Sequence, residues 1–131
     1  MKRKYLHIAM YRAMDSVYDE LENPPEILST FLSDANTYIF DDHTTADPAI
    51  QADFDKSMDK QNIGVEVDEA TAYNAVKNFL AEQYFQFVEC FGDGNENNLT
   101  FAEQFAKISL DEWKALCDIV TAKEDSRPKR L

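Results

Sequence analysis

The feature that most constrains this chain is a long apolar stretch from Asp68 to Gly92, which predicts one helix through the middle of a domain. Apolar side chains recur along it with the period of an α-helix, apart from a slip at Gln83 and Tyr84. Asp68 suits the N-cap position, and Gly92 stands where a left-handed residue closes many helices. About 24 residues at ~1.5 Å each make a helix of about 36 Å, long enough to cross a small domain. Because apolar residues cover more than one face, we expect neighbours on several sides.

The residues before this stretch predict three further helices. Apolar stripes at helical spacing mark the first over residues 4–22 and the second from Pro25 to about Phe40. Two prolines separate them, and the residue before a proline avoids helical backbone angles. Asp47 followed by Pro48 combines an N-cap with proline at the first helical position, which predicts the start of the third helix.

Two more helices are predicted after the central one. Thr100 with Glu103, and Ser109 with Glu112, each form the spacing of a capping box, in which the two residues satisfy each other's backbone N–H groups. The first box opens a short helix and the second opens the last helix of the chain.

These patterns predict an all-α fold: a single-domain bundle of about six helices packed around a long central helix at roughly 68–91. The domain covers residues 1–122, and residues 123–131, which lack an apolar face, are predicted to form a flexible basic tail. Only three Gly and four Pro disfavour a turn-rich all-β fold. The side chains expected at the centre of the core are Phe31, Leu32, Phe79, Leu80, Phe87, Val88 and Trp113.

The charge distribution favours a binding partner with a basic surface. The net charge is −12, and between Ala13 and Ala122 there are 23 acidic residues against five lysines, a net charge of −18. Such a surface repels nucleic acid and anionic membranes and attracts cationic proteins. No run approaches the ~20 apolar residues of a membrane span. The interface candidates precede and follow the start of the third helix: Asp41, Asp42, Asp53, Asp55 and Asp59. The alternative explanation is that the acidity only keeps the protein soluble.

The two cysteines, Cys90 and Cys117, fall on apolar helical stretches, and we expect both to be small buried side chains. Two cysteines do not make a disulfide framework, which favours a reducing compartment and a cytoplasmic location. Arg12 and Asp15 interrupt the apolar residues near the start of the sequence, so this segment does not match a secretory signal peptide.

The stretch from Asp93 to Phe105 resembles the calcium-binding loop of an EF-hand. Calcium takes about six to eight oxygen ligands, which such loops supply from alternate positions and a closing glutamate. Asp93, Asn95 and Asn97 alternate correctly, but Glu103 comes one residue too early, and an asparagine occupies the position of the turn glycine. An asparagine-rich turn before a capped helix explains the same residues, so we expect no bound metal and no other cofactor.

The histidines form no motif that compels an enzymatic chemistry. His43 beside Asp41 and Asp42 supplies too few fixed ligands for a metal site, and His7 lies at the edge of the first apolar stripe. Both are predicted to be structural. The sequence also has no P-loop, no dinucleotide-binding glycine pattern and no nucleophile elbow.

The resulting first hypothesis is a non-enzymatic cytoplasmic protein-binding module, such as an adaptor, an inhibitor or immunity-type protein, or a regulatory subunit. Six tyrosines supply side chains of the kind that anchors protein interfaces, although tyrosines at the edge of a core are equally common. A second hypothesis is an acidic blocker whose carboxylates imitate nucleic acid on a DNA- or RNA-binding protein. A third is a small metal-dependent protein that uses the 41–43 and 93–98 loops. The sequence leaves the oligomeric state open.

Overall fold

The computed structural model describes residues 1–91 and 99–128. Within them lie six α-helices, preceded by a short 3-10 helix at Arg3–Tyr5: α1 Leu6–Asp19, α2 Glu26–Ala35, α3 Pro48–Lys60, α4 Glu69–Phe91, α5 Phe101–Phe105 and α6 Leu110–Asp125. The predicted all-α bundle around a long central helix is confirmed, because α4 packs against each of the other five helices.

The core forms where α4 meets the surrounding helices. Phe79, Leu80 and Phe87 are buried there as expected, whereas Val88 is only half-buried. Phe31 of α2 stacks on Phe101 with ring centroids 4.7 Å apart, and Phe31 meets the edge of the Phe87 ring at 5.6 Å. Such aromatic pairs add stability beyond the area that they bury. Leu32 and Trp113 belong to the same buried cluster.

The second half of α4 is less buried than its apolar composition predicts. The inward face passes through Gln83 and Tyr84, since these positions lie three and four residues after Leu80 and therefore share its side of the helix. Phe85 is one residue further round the helix and points to solvent, 68% exposed. Cys90 is also exposed, so the expectation that both cysteines are buried is wrong for Cys90 and right for Cys117.

α2 ends at Ala35, five residues before the predicted end near Phe40. Asn36 leaves the helical region of backbone angles, and its side-chain oxygen accepts the backbone N–H of Tyr38 at 2.8 Å. Asparagine competes with a helix in this way because its short side chain replaces the backbone acceptor. The residues after Asn36 therefore belong to a loop rather than to a buried helical face.

The last two helices begin at the predicted capping boxes, and both reciprocal pairs of hydrogen bonds are present. α6 continues to Asp125, so residues 123–125, which we assigned to the tail, are helical. Arg127 also has side-chain partners on the body of the protein, described below. Residues 129–131 lie outside the described residues, and the flexibility of the tail stays a prediction.

Candidate functional site

The loop between α2 and α3, residues 36–46, is held closed at its base. The Ala46 N–H donates to the Asn36 carbonyl oxygen at 2.9 Å, and the Asp47 N–H donates to that of Asp34 at 2.8 Å. Just inside these bonds, the side chains of Thr37 and Thr45 are buried. A compact loop with adjacent ends and its own packed side chains is an Ω-loop, a form that often carries function.

The tip of this loop exposes three apolar side chains in succession. Tyr38 is 50% exposed, Ile39 62% and Phe40 47%. Exposed Asp41 and Asp42 follow directly. We call residues 38–42 the tip. The helical spacing predicts Tyr38 and Ile39 on the buried face of the second helix, and this prediction is wrong because α2 ends at Ala35.

The tip has local hydrogen bonds of its own. The carboxylate of Asp42 accepts the backbone N–H of Thr44 at 3.0 Å and its hydroxyl at 2.8 Å. These bonds hold the pKa of Asp42 below its ordinary value because they stabilise the charged form. The His43 N–H donates to the Phe40 carbonyl oxygen at 3.0 Å, which closes a tight turn under the tip.

Four side chains fasten the loop to the two helices beside it, and we call His7, His43, Glu124 and Arg127 the anchor cluster. His43 Nδ1 lies 3.0 Å from the Glu124 carboxylate and 3.0 Å from an Arg127 guanidinium nitrogen. Arg127 also donates to Glu124 at 2.9 Å and to the carbonyl oxygen of Asp41. The Glu124 side chain is only 8% exposed. This nearly buried carboxylate is paired with His43 and Arg127, whose side chains are half-buried.

His7 supports the loop from below, on α1. Its Nε2–H donates to the His43 carbonyl oxygen at 2.9 Å, and its ring lies edge-on to Phe54 at 6.0 Å. Burial lowers the pKa of His7, which favours the neutral ring. His43 has a φ of 58°, in the left-handed region that side chains other than glycine rarely adopt. The bonds of the anchor cluster compensate for this backbone strain.

Hydrogen bonds within the anchor cluster occupy Nδ1 of His43. His43 Nδ1 donates to Glu124 when it carries a proton and accepts from Arg127 when it does not, so either form keeps a partner. In the part of the chain that the structure describes, no hydroxyl or thiol side chain hydrogen-bonds to either histidine. Cys117 is fully buried, and burial raises its pKa to about 12, so it is a poor nucleophile.

A groove of about 740 Å³ runs beside the loop, between α1 and α6. We call Arg12, Lys123 and Arg127 its basic end, and Asp15, Asp19 and Glu20 its acidic end. The helices are antiparallel here, because the end of α6 lies beside the start of α1. The remaining lining residues are Ile8, Tyr11, Ser16, Asn36, Tyr38, His43, Val120 and Glu124. Tyr38 therefore belongs both to the tip and to the wall of the groove.

The predicted acidic patch on α3 does not behave as one surface. Asp53 is half-buried and accepts a hydrogen bond from Gln83 at 3.2 Å. Asp59 forms an ion pair with Arg3 at 2.7 Å. Asp55 is exposed and lines a surface hollow together with Phe40 of the tip. Of the three α3 candidates, Asp55 is therefore the one that lies beside the tip.

Of the four residues predicted as weak metal ligands, the structure describes only Glu103. Asp93, Asn95 and Asn97 lie outside the described residues, so the hypothesis of a site in their loop stays a prediction. Glu103 is the partner of Thr100 in the first capping box, and those hydrogen bonds lower its pKa. Within 1–91 and 99–128, no three His, Cys, Asp or Glu side chains are grouped so that they could hold a metal ion.

Sequence reasoning missed two members of the anchor cluster. Glu124 and Arg127 were assigned to the basic tail, yet their spacing of three residues is that of side-chain neighbours on a helix. Asn36 is the residue whose type indicates the end of α2, since asparagine often ends a helix and starts a turn.

Among the described helices, none has the length and apolar character needed to cross a membrane. Comparison of the chain with known protein families, with curated proteins and with solved structures found no match.

Proposed function

We propose that this protein is a non-enzymatic binding module that docks a basic protein partner through the tip of the 36–46 loop. The observation that carries the proposal is the exposure of Tyr38, Ile39 and Phe40 in succession, next to two exposed carboxylates. Single exposed apolar side chains are common on protein surfaces, but a continuous apolar patch rimmed by charge is typical of an interaction site.

The anchoring of the loop supports this function energetically. A loop that is already ordered loses little conformational entropy when a partner binds, so more of the contact energy appears as affinity. Residues 36–46 are closed at the base by backbone hydrogen bonds and fastened by the anchor cluster. Binding residues often lie on loops that a rigid scaffold holds in position, as the helices do here.

Electrostatics favours a partner of opposite charge. The chain carries a net charge of −12, and Asp41, Asp42 and Asp55 lie at or beside the tip. Charge of one sign steers an oppositely charged partner and raises the association rate more than the final affinity.

The two free cysteines, one of them exposed, fit a reducing compartment, and the proposal therefore includes a cytoplasmic location.

The apolar part of the tip is tested by co-purification from the native cell with the tagged full chain. Ile39→Asp together with Phe40→Asp should lower partner binding about 1,000-fold, because two anchors of about 2 kcal/mol each are lost and each ~1.4 kcal/mol is a tenfold change. Circular dichroism should be unchanged, since both side chains lie in solvent. Phe85→Asp changes an exposed aromatic position on α4 in the same way; it is the matched control and should keep the partner.

Capture of the same partner by the double variant and by the wild type would show that the tip is not the docking site. A partner that is a nucleic-acid-binding protein, and that nucleic acid displaces from this chain, would instead support the mimicry hypothesis.

The acidic rim should govern how fast the complex forms. Replacing Asp41, Asp42 and Asp55 by Asn should slow association about tenfold at low salt and flatten its salt dependence, because these charges lie within a Debye length of the docked partner. Stopped-flow binding at two salt concentrations measures both effects.

The control for this experiment removes the same charge elsewhere, with Glu22→Gln, Glu82→Gln and Glu89→Gln, all at exposed positions. If the control slows association as much as replacing Asp41, Asp42 and Asp55 does, the net charge of the whole protein governs association and these three carboxylates do not form a specific contact.

A further inference from the structure

We propose that the groove between α1 and α6 binds an extended peptide segment of the same protein partner, with a basic side chain at the acidic end and an acidic side chain at the basic end. The inference rests on the proposed function, because it describes a second contact made by the partner that the tip docks.

The dimensions of the groove suit a short extended chain. Its wall on α1 reaches from Ile8 to Glu20, which corresponds to about 18 Å along the helix. An extended peptide covers about 3.3 Å per residue, so five or six residues fill that length. A volume of about 740 Å³ lies in the range of natural ligand sites.

The acidic end concentrates negative charge. Asp15 and Asp19 stand four residues apart on α1, so two like charges face each other across one helical turn. Neither forms an ion pair with any residue in the described ranges. Burial, and then the charge of Asp19, raise the pKa of Asp15. A lysine or arginine from a ligand would relieve this repulsion.

The basic end is unusual for so acidic a protein. Only five lysines and no arginine occur between Ala13 and Ala122, yet Arg12, Lys123 and Arg127 converge on one groove. Arg127 is engaged in the anchor cluster, whereas Lys123 is exposed and makes no ion pair in the portion that the structure describes. A carboxylate on a ligand could therefore pair with Lys123 and with Arg12.

The two ends define a spacing. Arg12 and Asp19 are seven residues apart on α1, about 10 Å along its axis, which equals about three residues of an extended peptide. Next to the basic end the wall is aromatic: the rings of Tyr11 and Tyr38 lie 6.0 Å apart, and Tyr38 meets His43 at 5.0 Å. The preferred peptide therefore has opposite charges three or four positions apart, with an apolar residue beside its acidic one.

The groove is also continuous with the tip, because Tyr38 forms part of both. A partner that covers Ile39 and Phe40 can place a neighbouring extended segment in the groove without leaving the surface. This continuity is the reason for assigning both contacts to one partner.

The test uses the full chain and a positional-scanning library of acetylated, amidated hexapeptides, read by fluorescence anisotropy. We expect selection of Lys or Arg at one position and Asp or Glu three or four positions away. Asp19→Lys should lower affinity for that peptide about tenfold and abolish only the basic preference, whereas Lys123→Glu should abolish only the acidic one. Both positions are exposed, so folding should be intact.

Matched controls make the same charge changes away from the groove: Glu82→Lys on α4 and Lys56→Glu on α3, both exposed. They should leave the peptide preference as it is. A library without charge preference, or one whose preference survives both groove variants, would overturn the inference.

Failure of the groove and failure of the tip are distinguishable. Partner capture that needs Ile39 and Phe40, without any peptide selection, would leave the docking function standing and remove the groove. Peptide selection that persists in the Ile39→Asp and Phe40→Asp variant supports the groove as a separate contact.

Discussion

Replacing Phe79 by Ala should lower the free energy of unfolding by about 3–5 kcal/mol, the usual range for a phenylalanine removed from a packed core. Phe79 is 1% exposed and lies edge-on to Phe54 of α3, with ring centroids 5.0 Å apart. Truncation leaves a cavity between α3 and α4 that rigid helices fill only in part. Urea unfolding followed by circular dichroism measures the loss, with the slope of the transition checked for a change in the denatured state.

Phe85→Ala is the matched control for this experiment, since it removes the same atoms from the same helix. Phe85 is 68% exposed, and its truncation should cost less than about 0.5 kcal/mol. A loss below about 1 kcal/mol for Phe79→Ala would contradict the arrangement of α3 and α4 described above.

Replacing Glu124 by Ala should release the 36–46 loop and cost about 1–3 kcal/mol, the range for leaving hydrogen-bonding partners unsatisfied. The variant removes the carboxylate that both His43 and Arg127 contact, and the Arg127 guanidinium then loses its ion pair with Glu124. Hydrogen exchange at the backbone N–H groups of His43 and Ala46 should become faster, because both close the loop. Urea unfolding and exchange measured by NMR give the two results separately.

Two comparisons show whether the effect belongs to the loop. Glu124→Gln keeps an acceptor for Arg127 and should lie between the wild type and Glu124→Ala. Glu89→Ala removes an exposed carboxylate from α4 and should change neither measurement. Unchanged exchange at His43 and Ala46 in Glu124→Ala would mean that the backbone hydrogen bonds hold the loop without the anchor cluster.

The fold connects stability with the proposed function through this cluster. His7 comes from α1, His43 from the loop, and Glu124 from α6, so docking of three separate elements gives the tip its shape. A partner that recognises the tip therefore recognises the folded bundle, since the unfolded chain does not hold these residues together.

Local sequence signals accounted for most of the helices. The N-cap at Asp47, proline at the first position of α3 and the two capping boxes each act within one helical turn, and the structure contains all of them. The apolar period of residues 68–91 likewise determined a central helix, because the spacing of side chains on a helix does not depend on the rest of the chain.

Tertiary structure decided what those signals left open. Whether Phe85 or Tyr84 turns inward depends on which neighbours cover α4, and no local pattern contains that information. The groups of the anchor cluster are separated by 36 and 81 residues, so only the packing of α1 against α6 brings them to one loop. The exposure of Tyr38, Ile39 and Phe40 follows from the end of α2 at Asn36. There the Asn36 side chain accepts the Tyr38 N–H, and the apolar spacing of α2 does not continue as a helix.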